Sequence, residues 1–139
     1  MPIDGFLKLD GIEGECKDSA HKGWIDITGL EWGARQEASP GMDGTLKAGT
    51  PEVQQMKFTQ PYGRGSIPMF MACANGRQIP SAIFEACRRS GDSKLTYLRV
   101  KFKDCLITSV RTQSAGEAVS EDVEMAFAEI EMEYAEGAR

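Results

Sequence analysis

The chain has 139 residues, 41% of them hydrophobic and 27% charged, with no low-complexity tract. That suits a single domain over 1–139, large enough to bury a core without metal or disulfide staples. A net charge of −5 and a pI of about 4.9 argue against nucleic acid or an anionic membrane as the main partner, because both select a basic footprint.

The first element, I-D-G-F-L-K-L, reads as a strand over 3–9. It lacks the basic n-region and apolar run of a secretory signal, and no stretch of the chain approaches a membrane span. A polar, turn-rich segment follows. W-I-D-I-T-G-L-E-W (24–32) then reads as a second strand, in which Ile25 and Ile27 share one parity while Leu30 and Trp32 take the other. Gly29 sits at the change, where a bulge or sharp bend is expected.

Residues 33–52, with four Gly and two Pro, read as a long extended loop. Its middle, P-G-M-D-G-T-L (Pro40, Gly41, Met42, Asp43, Gly44, Thr45, Leu46), carries the Asp-Gly signal of a small projecting hairpin. V-Q-Q-M-K-F-T resumes strand character. One helix is predicted over 67–75, with Ser66 as cap, Pro68 in the first turn and Asn75-Gly76 as a left-handed stop. Strands follow over 79–88, 95–103 and 106–112, separated by the turns S-G-D-S-K and K-D-C.

The closing stretch V-E-M-A-F-A-E-I-E-M-E-Y-A-E (123–136) fits two periods. Val123, Phe127, Ile130 and Tyr134 have helical spacing, and the Ala, Glu and Met content favours helix. Val123, Met125 and Phe127, then Ile130, Met132 and Tyr134, alternate with one slip at Ala128. Charge favours the strand. Glu129, Glu131 and Glu133 repeat every second residue, as do Arg99, Lys101 and Lys103 upstream. Such stripes can pair across strands within one subunit or between two, or simply face water. Two strands that change face suggest a strongly curved sheet or barrel.

The chain carries little catalytic chemistry. Neither G-x-S-x-G nor a phosphate-binding loop occurs, and D-G-I-E-G-E lacks calcium-loop spacing. Cys16, Cys73, Cys87 and Cys105 lie too far apart in sequence for a zinc pair, and read as reduced, packed thiols. No metal or other cofactor is expected. The sole histidine, His21, leaves one enzymatic alternative, a thiol chemistry with Cys16. Trp24 and Trp32 read as core or interface packing rather than a ligand pocket.

F-L-K-L-D-G-I-E-G-E-C-K-D-S-A-H-K-G-W-I-D-I resembles the N-terminal signature of the haemolysin-coregulated proteins (Hcp), tube subunits of type VI secretion. The likeness continues through V-Q-Q-M-K-F-T, S-I-P-M-F-M-A-C-A-N-G-R, Y-L-R-V-K-F-K-D-C-L-I-T-S-V and F-A-E-I-E-M-E-Y, in order over nearly the whole chain. The resemblance implies a mainly β fold, a small barrel of two curved sheets with one flanking helix. It also implies a homohexamer whose rings stack into a tube, with no catalysis. Implied partners are the VgrG spike, the contractile sheath, baseplate proteins and small effector proteins held in the lumen. The implied course runs from bacterial cytoplasm to the medium or a target cell without a signal peptide and without membrane insertion. The 33–52 loop matches the family's ring-stacking loop, making residues 40–46 the stacking candidates.

Where the family often has W-S-W, this chain has Leu30-Glu31-Trp32. Leu30 and Trp32 still share a side, which directs Glu31 the other way and makes it the candidate for the lumen and its cargo. Arg99, Lys101, Lys103, Glu129, Glu131 and Glu133 are the candidates for a charged subunit interface. The chain ends five residues after Tyr134, so no C-terminal toxin domain is expected. A specialised effector carrier, or a small Cys/His-dependent enzyme, stands as the alternative to a main-tube subunit.

Overall fold

Ile27 and Gly29 are two residues apart in the chain and stand on opposite edges of one sheet. The computed structural model describes residues 4–18, 20–90 and 93–135. Strands β1 (Asp4–Leu9), β2 (Ile25–Ile27) and β3 (Gly29–Glu31) are followed by β4 (Ala34–Pro40), β5 (Leu46–Val53) and β6 (Met56–Pro61). Helix α1 (Ser66–Asn75) precedes β7 (Gln78–Ser90), β8 (Ser93–Ala115) and β9 (Ala118–Tyr134). Seven strands form one antiparallel sheet in the order β2-β1-β7-β8-β9-β6-β3, while β4 and β5 pair with each other. Because β2 and β3 are joined through Thr28 alone, the two ends of the sheet are held together and the sheet curls into a nearly closed barrel. The chain is mainly β with one helix, as expected. The two curved layers are parts of a single hydrogen-bonded sheet.

The change of face in 24–32 is present but needs no glycine conformation. Thr28 makes the bend, its N–H donating to the Thr59 carbonyl at 2.8 Å. A Cβ on Gly29 would meet Thr59 only at ordinary contact distance, 3.5 Å.

Other sequence expectations also need correction. K-D-C is not a turn: β8 runs unbroken from Ser93 to Ala115, with Asp104 at φ +53° inside it. The strand survives because β7 and β9 pair with it on both sides of Asp104. The extended segment 33–52 with its projecting hairpin is present, but its pairing reaches further than expected. It forms a ribbon with register Ala34–Val53 to Pro40–Leu46, so the hairpin extends well beyond the expected tip. Ile3, Gly91, Asp92 and Glu136, to which strand or turn roles were assigned, lie outside the described residues.

The closing segment is a strand. Val123 and Met125 are buried and Phe127 is half-buried; after Ala128 the inward position passes to Ile130. Tertiary pairing along the whole of β8 overrides the helical preference of Ala, Glu and Met.

The core is filled by Leu7, Leu9, Phe58, Phe84, Phe102, Ile107 and their neighbours, with α1 closing one side through Met69 and Ala72. Gly76 ends the helix at φ +66°, its N–H and that of Arg77 returning to Cys73 and Ala72 carbonyls. Ser66 does not cap. Gly65 occupies the N-cap position without a side-chain cap bond, and the Ser66 hydroxyl accepts from the Gly63 N–H at 2.9 Å, tightening the entry turn. A second, smaller cluster of Phe6, Cys16 and Cys87, flanked by Trp24, lies on the other face of β1 and β7. The loop between β1 and β2 covers it. Both faces of β1 are therefore buried: Leu7 and Leu9 on one, Phe6 on the other.

Candidate functional site

Four sets of side chains carry candidate function, and the fold separates them. The first lies on the outer face of β3, β6, β9 and β8. Leu30 and Trp32 pack on the core, and Glu31 between them is exposed. Register puts Glu31 beside Lys57, Lys57 beside Glu124, and Glu124 beside Ser109. The adjacent row runs Gly29, Thr59, Asp122, Arg111. Asp122 accepts from the Thr59 hydroxyl at 3.0 Å and from Gln113 Nε2 at 2.7 Å. Glu31 is therefore one member of an alternating acid–base row rather than an isolated carboxylate. Lys57 is its register neighbour on β6, and both side chains are exposed.

The second set is the β4–β5 ribbon. Every residue of β4 is exposed, and at the tip Met42 is wholly in solvent while Leu46 is 75% exposed. The turn itself is well formed. Gly41 N–H donates to the Thr45 carbonyl at 2.6 Å, and Gly44 adopts φ +85°. Asp43 accepts from the Thr45 hydroxyl at 2.6 Å and the Thr45 N–H at 3.1 Å. Those two donors, the hydroxyl first, hold the Asp43 carboxyl below its usual range. The tip is thus ordered by its own hydrogen bonds while presenting apolar side chains to water.

The third set is the pair of charge stripes. The structure brings them together within one chain: Arg99 lies opposite Glu133, Lys101 opposite Glu131, and Lys103 opposite Glu129. Lys101 Nζ also approaches Glu133 Oε1 at 4.0 Å, both side chains being well exposed. Arg99 turns instead toward β7, with Nε 3.0 Å from Glu85 Oε2, an ion-pair contact whose N–H is not aimed along the line.

The fourth set surrounds His21, which is 3% exposed. Nδ1 lies 2.7 Å from Asp18 Oδ2 and Nε2 lies 2.7 Å from Glu85 Oε1. The ring stacks on Phe6 with centroids 4.0 Å apart and planes at 7°, and meets the edge of Trp24. The Cys87 Sγ lies 4.0 Å from Nε2. That nitrogen is already engaged by Glu85. Burial pushes the Cys16 thiol up, the opposite of what a thiolate nucleophile requires. Trp24 belongs to this cluster and Trp32 to the main core, so the two indoles share no pocket. Sequence reasoning saw His21 only beside Cys16. The Asp18-x-x-His21 spacing is a local signal, but Glu85 lies 64 residues from His21 and is supplied by β7 alone.

Among the described residues no cluster of His, Cys, Asp and Glu is arranged to hold a metal ion, and no helix is long and apolar enough to cross a membrane.

A family described as "Type VI secretion system effector, Hcp" matches residues 6–134. The chain belongs to the Hcp family of type VI secretion proteins. It is 32% identical over 136 residues to protein hcp1 of Pseudomonas aeruginosa, covering 96% of this chain and 84% of that protein. Its fold superimposes on Hcp1 from Salmonella typhimurium with a TM-score of 0.81 at 31% identity, covering 96% of this chain and 88% of the other. A further solved type six secretion system protein matches with a TM-score of 0.86 at 28% identity, over 95% and 83%. Hcp proteins are tube components of type VI secretion, a structural rather than an enzymatic family.

Proposed function

We propose that this Hcp protein is a ring-forming subunit of the secretion tube: six copies close head-to-tail, and the rings stack into a tube that sheath contraction expels. The observation that carries this reading is the β4–β5 ribbon. It has no core of its own, it is ordered by its own turn, and Met42, Leu46 and Val53 are more than half exposed. A two-stranded ribbon is marginal in water, and exposed apolar tips of this kind are features of surfaces that another molecule covers. A second copy of the chain is the cover in this proposal, with residues 40–46 making ring-on-ring contact. The alternating row through Glu31 faces the lumen and carries small effectors, with Lys57 moderating its charge. The VgrG spike, sheath and baseplate are the other partners, and the protein passes from cytoplasm to exterior during firing.

Native mass spectrometry and negative-stain microscopy of the purified chain test the assembly. Rings of six copies are expected, and a lone subunit at high concentration would overturn the reading. Met42→Glu with Leu46→Asp is expected to abolish stacking while leaving the protomer's thermal midpoint in place. For the lumen, Glu31→Ser is expected to change retention of basic and acidic effectors in opposite directions. No change for either removes Glu31 from the lumen.

A further inference from the structure

We infer that His21 is a proton-dependent latch: as an imidazolium it clamps the β1–β2 loop onto β7, and its deprotonation releases that loop. Nδ1 and Nε2 each lie 2.7 Å from a carboxylate oxygen, of Asp18 and Glu85 respectively. A carboxylate only accepts, so both bonds exist together only when both ring nitrogens carry hydrogen. A neutral imidazole has one N–H, and its bare nitrogen would then face an anion across 2.7 Å in a site that is almost dry. Moving the proton onto Glu85 is the other solution, but Arg99 Nε stands 3.0 Å from the second Glu85 oxygen and favours the ionised acid. Face-on stacking against Phe6 is a further preference for the cation.

The charged surroundings point the same way from every element packed on the ring. Asp18 comes from the loop, Asp4 from β1 opposite Cys87, and Asp26 from β2 beside Cys16. Glu85 and Cys87 come from β7, and Arg99 and the Thr96 hydroxyl from β8. Two carboxylates, Asp18 and Glu85, thus bond the His21 ring directly, and one guanidinium stands behind Glu85.

The backbone shows what the latch holds. His21 N–H donates to the Asp18 carbonyl and Trp24 N–H to the His21 carbonyl, while Gly14, Cys16 and Gly23 link the two arms of the loop. Beneath them lie Phe6, Cys16 and Cys87. The sign follows directly. The clamp is present while His21 is charged and is lost as pH rises and the ring gives up one proton.

Because the chain has one histidine, its ring signals are unambiguous. Long-range nitrogen–proton NMR of the intact protein is expected to show both ring nitrogens protonated near neutral pH. Raising the pH until one proton leaves is expected to speed hydrogen exchange at the His21, Gly23 and Trp24 amides by about ten- to hundredfold beyond the intrinsic rate, the loss of one charge-assisted bond. Glu85→Gln keeps shape and an acceptor but removes charge, and is expected to move that change to lower pH, with assembly state followed by light scattering. A neutral ring near neutral pH in the wild-type protein, or deprotonation without faster exchange in this loop, would overturn the latch.

Discussion

Asp104 on β8 lies opposite Ala128 on β9, between the register pairs Lys103–Glu129 and Cys105–Phe127, and both strands turn over there. On β8 the buried positions pass from Val100 and Phe102 to Cys105 and Ile107; on β9 the inward position passes from the buried Met125 to the half-buried Ile130. Pro80 on β7 occupies the same line, between Ile79–Cys105 and Ser81–Lys103, and β7 also reverses, from Ile79 to Ala82 and Phe84. Three neighbouring strands are creased along one row. Each contributes what the crease tolerates: Pro80 needs no ladder N–H, Asp104 accepts φ +53°, and Ala128 is small.

Asp104 therefore bears a conformational constraint although its side chain is exposed. Asp104→Val is expected to lose about 1–2 kcal/mol of stability, the cost of a β-branched residue in the left-handed region. Asp104→Asn should stay within about 0.5 kcal/mol. Urea unfolding of the two variants decides; equal losses would mean that the carboxylate, not the backbone, matters.

Gly14 is required for a different reason. A Cβ there would stand 2.3 Å from the Trp24 carbonyl oxygen and 2.8 Å from Ile25 Cγ1. The obstacle is backbone and cannot swing aside. Gly14→Ala is expected to cost about 1–3 kcal/mol and to alter Trp24 fluorescence, because the loop arm must shift.

Cys105 gives a pH signature. Burial first, then the nearby Asp104 charge, push its thiol from 9.0 up to about 11. The folded state then holds a proton that the unfolded state releases. The stability from this group is whole below pH 9 and is lost between pH 9 and about 11, at up to about 1.4 kcal/mol per pH unit. Cys105→Ala is expected to flatten that slope in denaturation curves collected across the window. In the folded protein Cys105 should also resist alkylation at pH 8.

Glu131→Lys puts like charges on Glu131's register position and Lys101. Because the pair is exposed, the protomer should lose no more than about 1 kcal/mol. If the stripe also meets a neighbouring subunit, rings of this variant should dissociate at lower salt than wild type. Identical ring populations across a salt series would confine the stripe to its intramolecular role.

Several features were legible in the sequence because they depend on neighbours in the chain. The period-two charges of 129–133 and 99–103 marked strands, Asn75-Gly76 marked the helix end, and the parity change around Gly29 and at Ala128 marked bent ribbons. The signature running from Phe6 to Tyr134 gave the family. The uninterrupted length of β8 was not legible, since K-D-C has turn composition and only pairing to β7 and β9 on either side keeps it extended. Nor was the ribbon of 34–53, whose glycines and prolines suggest irregular chain until cross-strand hydrogen bonds are formed.

Local residue order thus determined the kind of each element, where most of them stop, and the family to which the chain belongs. Partnership was decided only in three dimensions. Glu85 reaches His21 across 64 residues, Lys57 comes to lie beside Glu31, and the basic stripe meets the acidic one inside a single chain. Those pairings arise from strand register in the curled sheet, which is fixed by the fit of buried side chains from all seven strands at once and has no signature in any one segment.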